Sequence, residues 1–142
     1  MTIARLIEHR NAAIVSCETG TTVGEAIALL AARRIGALPV MAGDKIVGIF
    51  SERDVIYQLQ AQGPAVLDRT VGEVMTAPAV TVAPETDAIE ALSLMTRRRV
   101  RHLPVVVNGA MIGFVSIGDL VKYRIDRIES EAEAMRAYIQ TA

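Results

Sequence analysis

Two four-residue steps carry the side chains best suited to chemistry, Ser51-Glu52-Arg53-Asp54 and Ser116-Ile117-Gly118-Asp119. Each follows an apolar run and opens a helix-forming stretch. A serine at that point caps the helix by accepting from its free N–H groups. The fourth position of such a cap favours Glu or Gln, whose longer side chain reaches back to the capping residue. Thr22 with Glu25, and Asp87 with Glu90, follow that preference, whereas Asp54 and Asp119 depart from it. The contrast favours a second task for these two aspartates. A carboxylate accepts hydrogen bonds from both hydroxyls of a cis-diol, and the adjoining helix N-terminus offers N–H groups and partial positive charge to an anion.

A second concentration of chemistry is RRRVRHLPVVVNG, residues 97 to 109, in which four arginines and a histidine lead into a run of valines. A duplication divides this patch. Sliding the chain by 65 residues aligns Ile14 to Leu59 with Ala79 to Arg124 without a gap, and 13 of the 46 pairs are identical. Arg98 and Arg99 match Arg33 and Arg34, at the end of a helix in each copy, where cations complement the helix dipole. Arg97 matches Ala32 and reads as solvated. Arg101 and His102 match uncharged Gly36 and Ala37, so the end of a helix does not account for them. Arginine presents a fixed fork of donors that fits a phosphate, and histidine changes charge near neutral pH. An exposed basic loop and a salt bridge to a second subunit are the competing readings.

The elements that position these residues follow from the same repeat. Each copy has a short extended segment (IVSC, AVTV) and then a helix with apolar residues at Val23, Ala26, Ile27 and Leu30, or Ala88, Ala91, Leu92 and Met95. Two apolar runs follow, ALPVMA with IVGIF and HLPVVV with MIGFV, joined by Gly43-Asp44 and Asn108-Gly109, which are hairpin turn signals. A second helix closes each copy. The fold class is therefore α/β (α+β): two β-α-β-β-α repeats packed about a pseudo-twofold axis, plus a long C-terminal helix. The expected boundaries are 1–62 for the first repeat, 63–69 for a linker opened by Gly63-Pro64, 70–124 for the second repeat and 125–142 for the helical extension. TIARLI and TVGEVM read as short docking helices at the start of each copy.

Composition narrows the function classes. The chain has 142 residues, a formal net charge of −1 and only 4% aromatic residues, which argues against a nucleic-acid partner. No apolar run approaches the ~18 residues of a membrane span, and the single Cys17, among apolar neighbours, reads as a buried thiol in a reducing, cytoplasmic setting. With only His9 and His102, no Cys/His metal spacing, no glycine-rich phosphate loop and no nucleophile-base motif, neither an enzyme nor a metal site is expected.

The LPV run, the glycine-aliphatic strand, the S-x-x-D step and the stretch EVMTAPAVTVAPETDAIEAL, in that order and in two copies, resemble a tandem pair of cystathionine-β-synthase-type (CBS) domains, a Bateman module. The resemblance covers roughly residues 1 to 124. It implies a regulatory module whose two clefts bind adenine-containing ligands: AMP foremost, with ADP, ATP, NADH or S-adenosylmethionine as alternatives, and no catalytic cofactor. It further implies ligand-dependent conformational signalling and association into a homodimer; the effector protein is not identified. In the family the aspartate matching Asp54 and Asp119 binds ribose beside the capping Ser51 and Ser116, and basic residues at the positions of Arg101 and His102 contact phosphate. The backbone around Ala37-Leu38 and His102-Leu103 would read an adenine edge, and Val15 and Val80 would line the base slot, with core packing as the competing role. Thr21, like Thr22, Thr86 and Asp87, stands where some members contact phosphate or ribose, with capping as the alternative. A ligand-free dimerisation scaffold is the competing function.

The C-terminal segment carries Val121, Ile125, Ile128, Ala132, Met135 and Ile139 at alternating spacings of four and three. Such a seam is expected to pack across its own module or against a second subunit.

Overall fold

Val23, Ala26 and Leu30 lie three and four residues apart, so a helix gathers them on one face, and in the computed structural model they are buried on α2 (Val23–Arg33). The structure describes residues 1–8 and 13–141; His9 lies outside them. Thr22 opens α2 with a full capping box: Glu25 N donates to Thr22 Oγ1 and Thr22 N to Glu25 Oε2, both at 3.1 Å. The matching helix, α5 (Ala88–Arg98), buries Ala88, Ala91 and Met95. Its cap, Asp87, accepts from Ile89 N at 3.0 Å, one residue earlier than the Thr22 box does. Both helices end on an arginine with left-handed backbone, Arg34 at φ 52° and Arg99 at φ 55°, a conformation that usually selects glycine.

Two hairpins follow these helices, β2 (Ala37–Ala42) with β3 (Lys45–Ser51) and β4 (His102–Val107) with β5 (Ala110–Ser116). Their turns use positive φ at Gly43 in the first and at Asn108 and Gly109 in the second. The short strand β1 (Cys17–Glu18) runs parallel to β2, and the sheet order is β1-β2-β3-β5-β4, with the hairpins joined at Lys45 and Ala110. The expected second-copy strand AVTV contributes only a bridge between Val82 and Val105. Proline accounts for the difference. Thr19 N extends the first ladder by donating to Met41 O at 3.2 Å, while the matching residue, Pro84, has no N–H to give.

Each repeat closes its core with a helix that belongs in sequence to the other. The short helix α4 (Val71–Val74) precedes the second copy, yet Val71 and Val74 join Val23, Leu38, Val40 and Phe50 in the first core. Conversely α1 (Ile3–Glu8) precedes the first copy, yet Ile3 joins Met95, Leu103, Val115 and Leu120 in the second. Matching bonds seat the two helices: Ile3 N donates to Thr86 O at 2.8 Å and Val71 N to Thr21 O at 2.7 Å. The connection between copies is a packed 3-10 segment, Gly63–Asp68, that buries Val66 in the first core. Cys17 is buried in that core, and burial pushes its thiol pKa up to about 11, with Glu18 adding to the shift.

The second helix of each copy packs differently from the first. α3 (Glu52–Gln62) buries no residue, and α6 (Ile117–Thr141) buries only Leu120. The apolar seam of α6 does not pack across its own module: Val121 is 42% exposed, Ile125 49%, Ile128 47%, Met135 60% and Ile139 64%. Among the described residues of the chain, these seam side chains stay largely exposed along the length of the helix.

Candidate functional site

The antiparallel register sets each S-x-x-D step beside the start of its hairpin, Ser51 opposite Ala37 and Ser116 opposite His102. The first N–H of each following helix donates to the carbonyl just before the hairpin, Glu52 N to Gly36 O at 3.0 Å and Ile117 N to Arg101 O at 2.8 Å. Both aspartates cap. Ser51 N and Ser51 Oγ donate to Asp54 Oδ2 at 2.9 and 3.1 Å; Ser116 N donates to Asp119 Oδ2 at 2.7 Å, and Asp119 N to Ser116 Oγ at 3.2 Å. The shorter side chain thus reaches back as Glu25 does, which removes the side-chain-length argument for a second task. Ser51 ends a strand with φ −129°, against −73° at Thr22, and this rotation about N–Cα turns its N–H toward the nearer carboxylate.

What distinguishes the two aspartates is that each lines a cleft. The first cleft, about 580 Å³, is walled by Ser51, Asp54 and Tyr57 of the first copy and by Ala79, Val80 and the run Arg98–His102 of the second. The second, about 520 Å³, is walled by Ser116, Asp119 and Phe114 of the second copy and by Ile14, Val15 and Arg34–Ala37 of the first. Both volumes fall in the range of small-molecule sites. The 65-residue shift exchanges most of one wall set with the other, which is the expected pseudo-twofold. Each cleft therefore pairs the aspartate of one copy with the pre-hairpin segment of the other, and Arg101 lines the Asp54 cleft.

In the first cleft Thr76 Oγ1 donates to Asp54 Oδ1 at 2.9 Å, and Arg53 Nη1 donates to Arg99 O at 3.0 Å, tying α3 to the left-handed end of α5. Arg98 and Arg99 both end a helix and line this cleft, and Arg34 lines the other. His102 lies near the axis and lines both clefts, as Gly36 does. Its ring stacks on Phe114 at 5.5 Å between centroids and 17° between planes. Burial holds its pKa below the usual 6.5, and Arg101 pushes the same way, while Asp119 and Glu52 oppose.

The remaining candidates separate cleanly. Val15 and Val80 are half-buried at the walls, and Ala37 lines the second cleft. Leu38 and Leu103 are fully buried core residues that line neither cleft. Thr21 also lies outside both; its Oγ1 accepts from Glu18 N at 3.3 Å in the turn before α2. Thr76 and Phe114 are wall residues that the sequence reading did not single out. Thr76 precedes the start of the repeat alignment, and Phe114 sits in an apolar strand run where nothing marks it. Among the described residues no three His, Cys, Asp or Glu side chains gather as a metal site, and no helix is long and apolar enough to cross a membrane.

Two hairpin-and-helix repeats that build a pair of clefts between them define a tandem two-cleft module, and comparison with known proteins identifies its family. The CBS domain family matches the chain twice, over residues 7–61 and 71–126. The chain belongs to that family, as a tandem CBS pair. It is 38% identical over 129 residues to the mitochondrial CBS domain-containing protein CBSX3 of Arabidopsis thaliana, a match covering 87% of this chain and 63% of that protein. To CBSCBSPB1 of the same plant it is 36% identical over 118 residues, 82% of this chain but 22% of that protein. The chain thus spans less than two thirds of the length of these two relatives. The crystal structure of a CBS-domain-containing protein from Agrobacterium tumefaciens superposes with a TM-score of 0.83 at 34% identity, covering 87% of this chain and 99% of that one. The CBS domain pair of protein MJ0100, solved in complex with 5′-methylthioadenosine and S-adenosyl-L-methionine, shares the fold with a TM-score of 0.75 at 19% identity, over 87% of this chain and 98% of that one.

Proposed function

We propose that this CBS pair is a regulatory module that senses an adenine nucleotide, AMP foremost, in the clefts between its repeats. The observation that carries the reading is the first cleft, whose lining holds Asp54 together with Arg98, Arg99, Arg101 and His102. A ribose cis-diol suits the carboxylate, whose oxygens keep acceptor capacity beyond the bonds from Ser51 and Thr76. A phosphate suits the arginine forks, and a base suits the apolar wall at Ala79 and Val80. The adenosine-containing ligands of the MJ0100 pair belong to the same chemical class. Signalling follows if occupied and empty clefts hold α3 and α6 differently, since both helices begin at the ligand-facing steps.

Titration calorimetry with AMP, ADP, ATP, NADH and S-adenosylmethionine tests the reading. A ligand confined to the native state, at a free concentration 100 times its Kd, raises stability by ~2.7 kcal/mol. No binding by any of the five would leave a ligand-free scaffold.

Homodimerisation is proposed with it. α3 exposes Ile56 and Tyr57, each 64% accessible, and its duplicate α6 exposes Val121, Ile125 and Ile128. A face that repeats its own apolar chemistry about an internal pseudo-twofold suits a second copy related by a twofold. Removing residues 126 to 142 should weaken self-association; an unaltered sedimentation profile would count against it.

A further inference from the structure

We infer that α6 pairs with α6 of a second copy, parallel and in register from Val121 to Ile139, with Arg124 facing the partner's Glu129 and Glu131 facing the partner's Arg136. This rests on the homodimer reading above and gives that dimer an interface and a direction.

The length of the helix is the first observation. α3 ends at Gln62, which the duplication matches to Arg127, yet α6 continues to Thr141. The extension carries the seam on: Val121, Ile128 and Met135 recur every seven residues, and Ile125, Ala132 and Ile139 interleave with them. A straight helix has about 3.6 residues per turn, so a strict seven-residue repeat keeps facing a neighbour only when two helices coil about each other. The stripe stays exposed to its end, with Met135 60% and Ile139 64% accessible, and from Val121 to Ile139 it spans about 27 Å. The β-branched Ile125 and Ile139 on one side of the seam suit a two-stranded coil.

The charged flanks identify the occupant and its direction. Arg124 and Glu131 border one edge of the seam, and Lys122, Glu129 and Arg136 border the other. In a parallel pair a residue on the first edge meets the residue five positions further on along the second edge of its partner. Arg124 then meets the partner's Glu129, and Glu131 meets the partner's Arg136. Both pairs are attractive, and the twofold doubles them. Residues five apart on a single helix point about 140° away from one another, so neither pair closes within one chain. Arg124, Glu129, Glu131 and Arg136 are all exposed. Arg127 Nε donates to Glu131 Oε1 at 3.1 Å, and a carboxylate has acceptor capacity for a second guanidinium. An antiparallel pair of the same length sets like against like: Glu129 on the partner's Glu129, Glu131 on the partner's Glu131 and Lys122 on the partner's Arg136. Sliding that pair by one heptad either way leaves two of the six seam residues outside the overlap.

Oxidative cross-linking of the whole chain reads the direction, and sedimentation reads the contact. Val121→Cys and Met135→Cys, made separately, should each form a disulfide with the same position of a second copy, because parallel helices in register set identical seam residues opposite one another. The parent chain, with Cys17 buried, is the control. Arg124→Glu should weaken the dimer by about 10-fold, since it turns two attractive pairs repulsive, and adding Glu129→Arg should restore it. A dimer in which either cysteine variant fails to cross-link, an unchanged dimer in Arg124→Glu, or no rescue by Glu129→Arg would each overturn the pairing and leave dimerisation through α3 standing. A monomer at every concentration would instead remove the homodimer reading itself.

Discussion

Gly48 and Gly113 are matched by the duplication, yet the structure gives them unequal tolerance for a methyl group. A Cβ on Gly48 would stand 2.6 Å from Met75 Sδ and 2.8 Å from Thr76 O. Met75 can swing away, but the Thr76 carbonyl is backbone, and it accepts from Ile49 N at 2.9 Å while Thr76 N donates to Ile49 O at 2.9 Å. Gly48→Ala must therefore push the 75–76 segment off β3. Overpacking costs about 1–3 kcal/mol, and loosening the two backbone bonds adds about 1 kcal/mol, for a destabilisation of roughly 2–4 kcal/mol. At Gly113 the obstacle is the Ile7 side chain, with two carbon atoms at 3.0 Å. A side chain on the short helix α1 can give, so Gly113→Ala should cost under about 1.5 kcal/mol, as modest repacking does. Urea unfolding of both variants, with unchanged m-values, measures the difference. Gly48→Ala should also weaken AMP, because Thr76 holds the Asp54 carboxylate at 2.9 Å. An equal or larger cost at Gly113, or a cost below about 0.5 kcal/mol at Gly48, would refute the reasoning.

Three further outcomes are expected. Ile3→Ala, at a residue with no exposure in the second core, should destabilise the chain by about 2–5 kcal/mol in urea; a near-neutral result would mean that α1 does not close that core. Because burial holds the His102 pKa below 6.5, the unfolded chain binds more protons than the folded one between those values. Stability should then rise with pH up to about 6.5 and fall as pH drops below it, until the folded pKa is passed. His102→Gln should flatten that part of the profile, and an identical pH slope in both proteins would contradict it. Finally, Cys17 should react with Ellman's reagent at pH 8 only as the chain unfolds, since a thiol pKa of about 11 leaves little thiolate; stoichiometric labelling of the native protein within seconds would refute its burial.

The repeat made most of this architecture legible. Helix faces at Val23 and Ala88, the hairpin turns at Gly43 and Asn108, and the cap positions at Ser51 and Ser116 depend on local spacing, and local spacing is what a sequence displays. Other features depend on which copy meets which, and no local pattern encodes that. The sequence places Arg101 near Asp119, eighteen residues on, whereas the fold brings it to Asp54. Likewise TIARLI sits beside the first copy in sequence and packs on the second. The AVTV segment shows the reverse case, since Pro84 was in plain view and shortens the strand it follows. Thr76 and Phe114 gave no signal because their roles arise only from neighbours distant in the chain.

The exchange of closing helices also bears on how such a chain could arise. A lone ancestral copy, ordered as short helix, strand, helix, hairpin and helix, would carry a closing helix directed at a neighbour and a core awaiting one. Two such polypeptides complete each other by trading their first helices, as Ile3 and Val71 do here. Tandem fusion turns that reciprocal embrace into an intramolecular event with a high effective concentration. It also frees the two halves from identical sequences, so that a glycine at position 36 and an arginine at position 101 can drift apart while each still completes the other's fold.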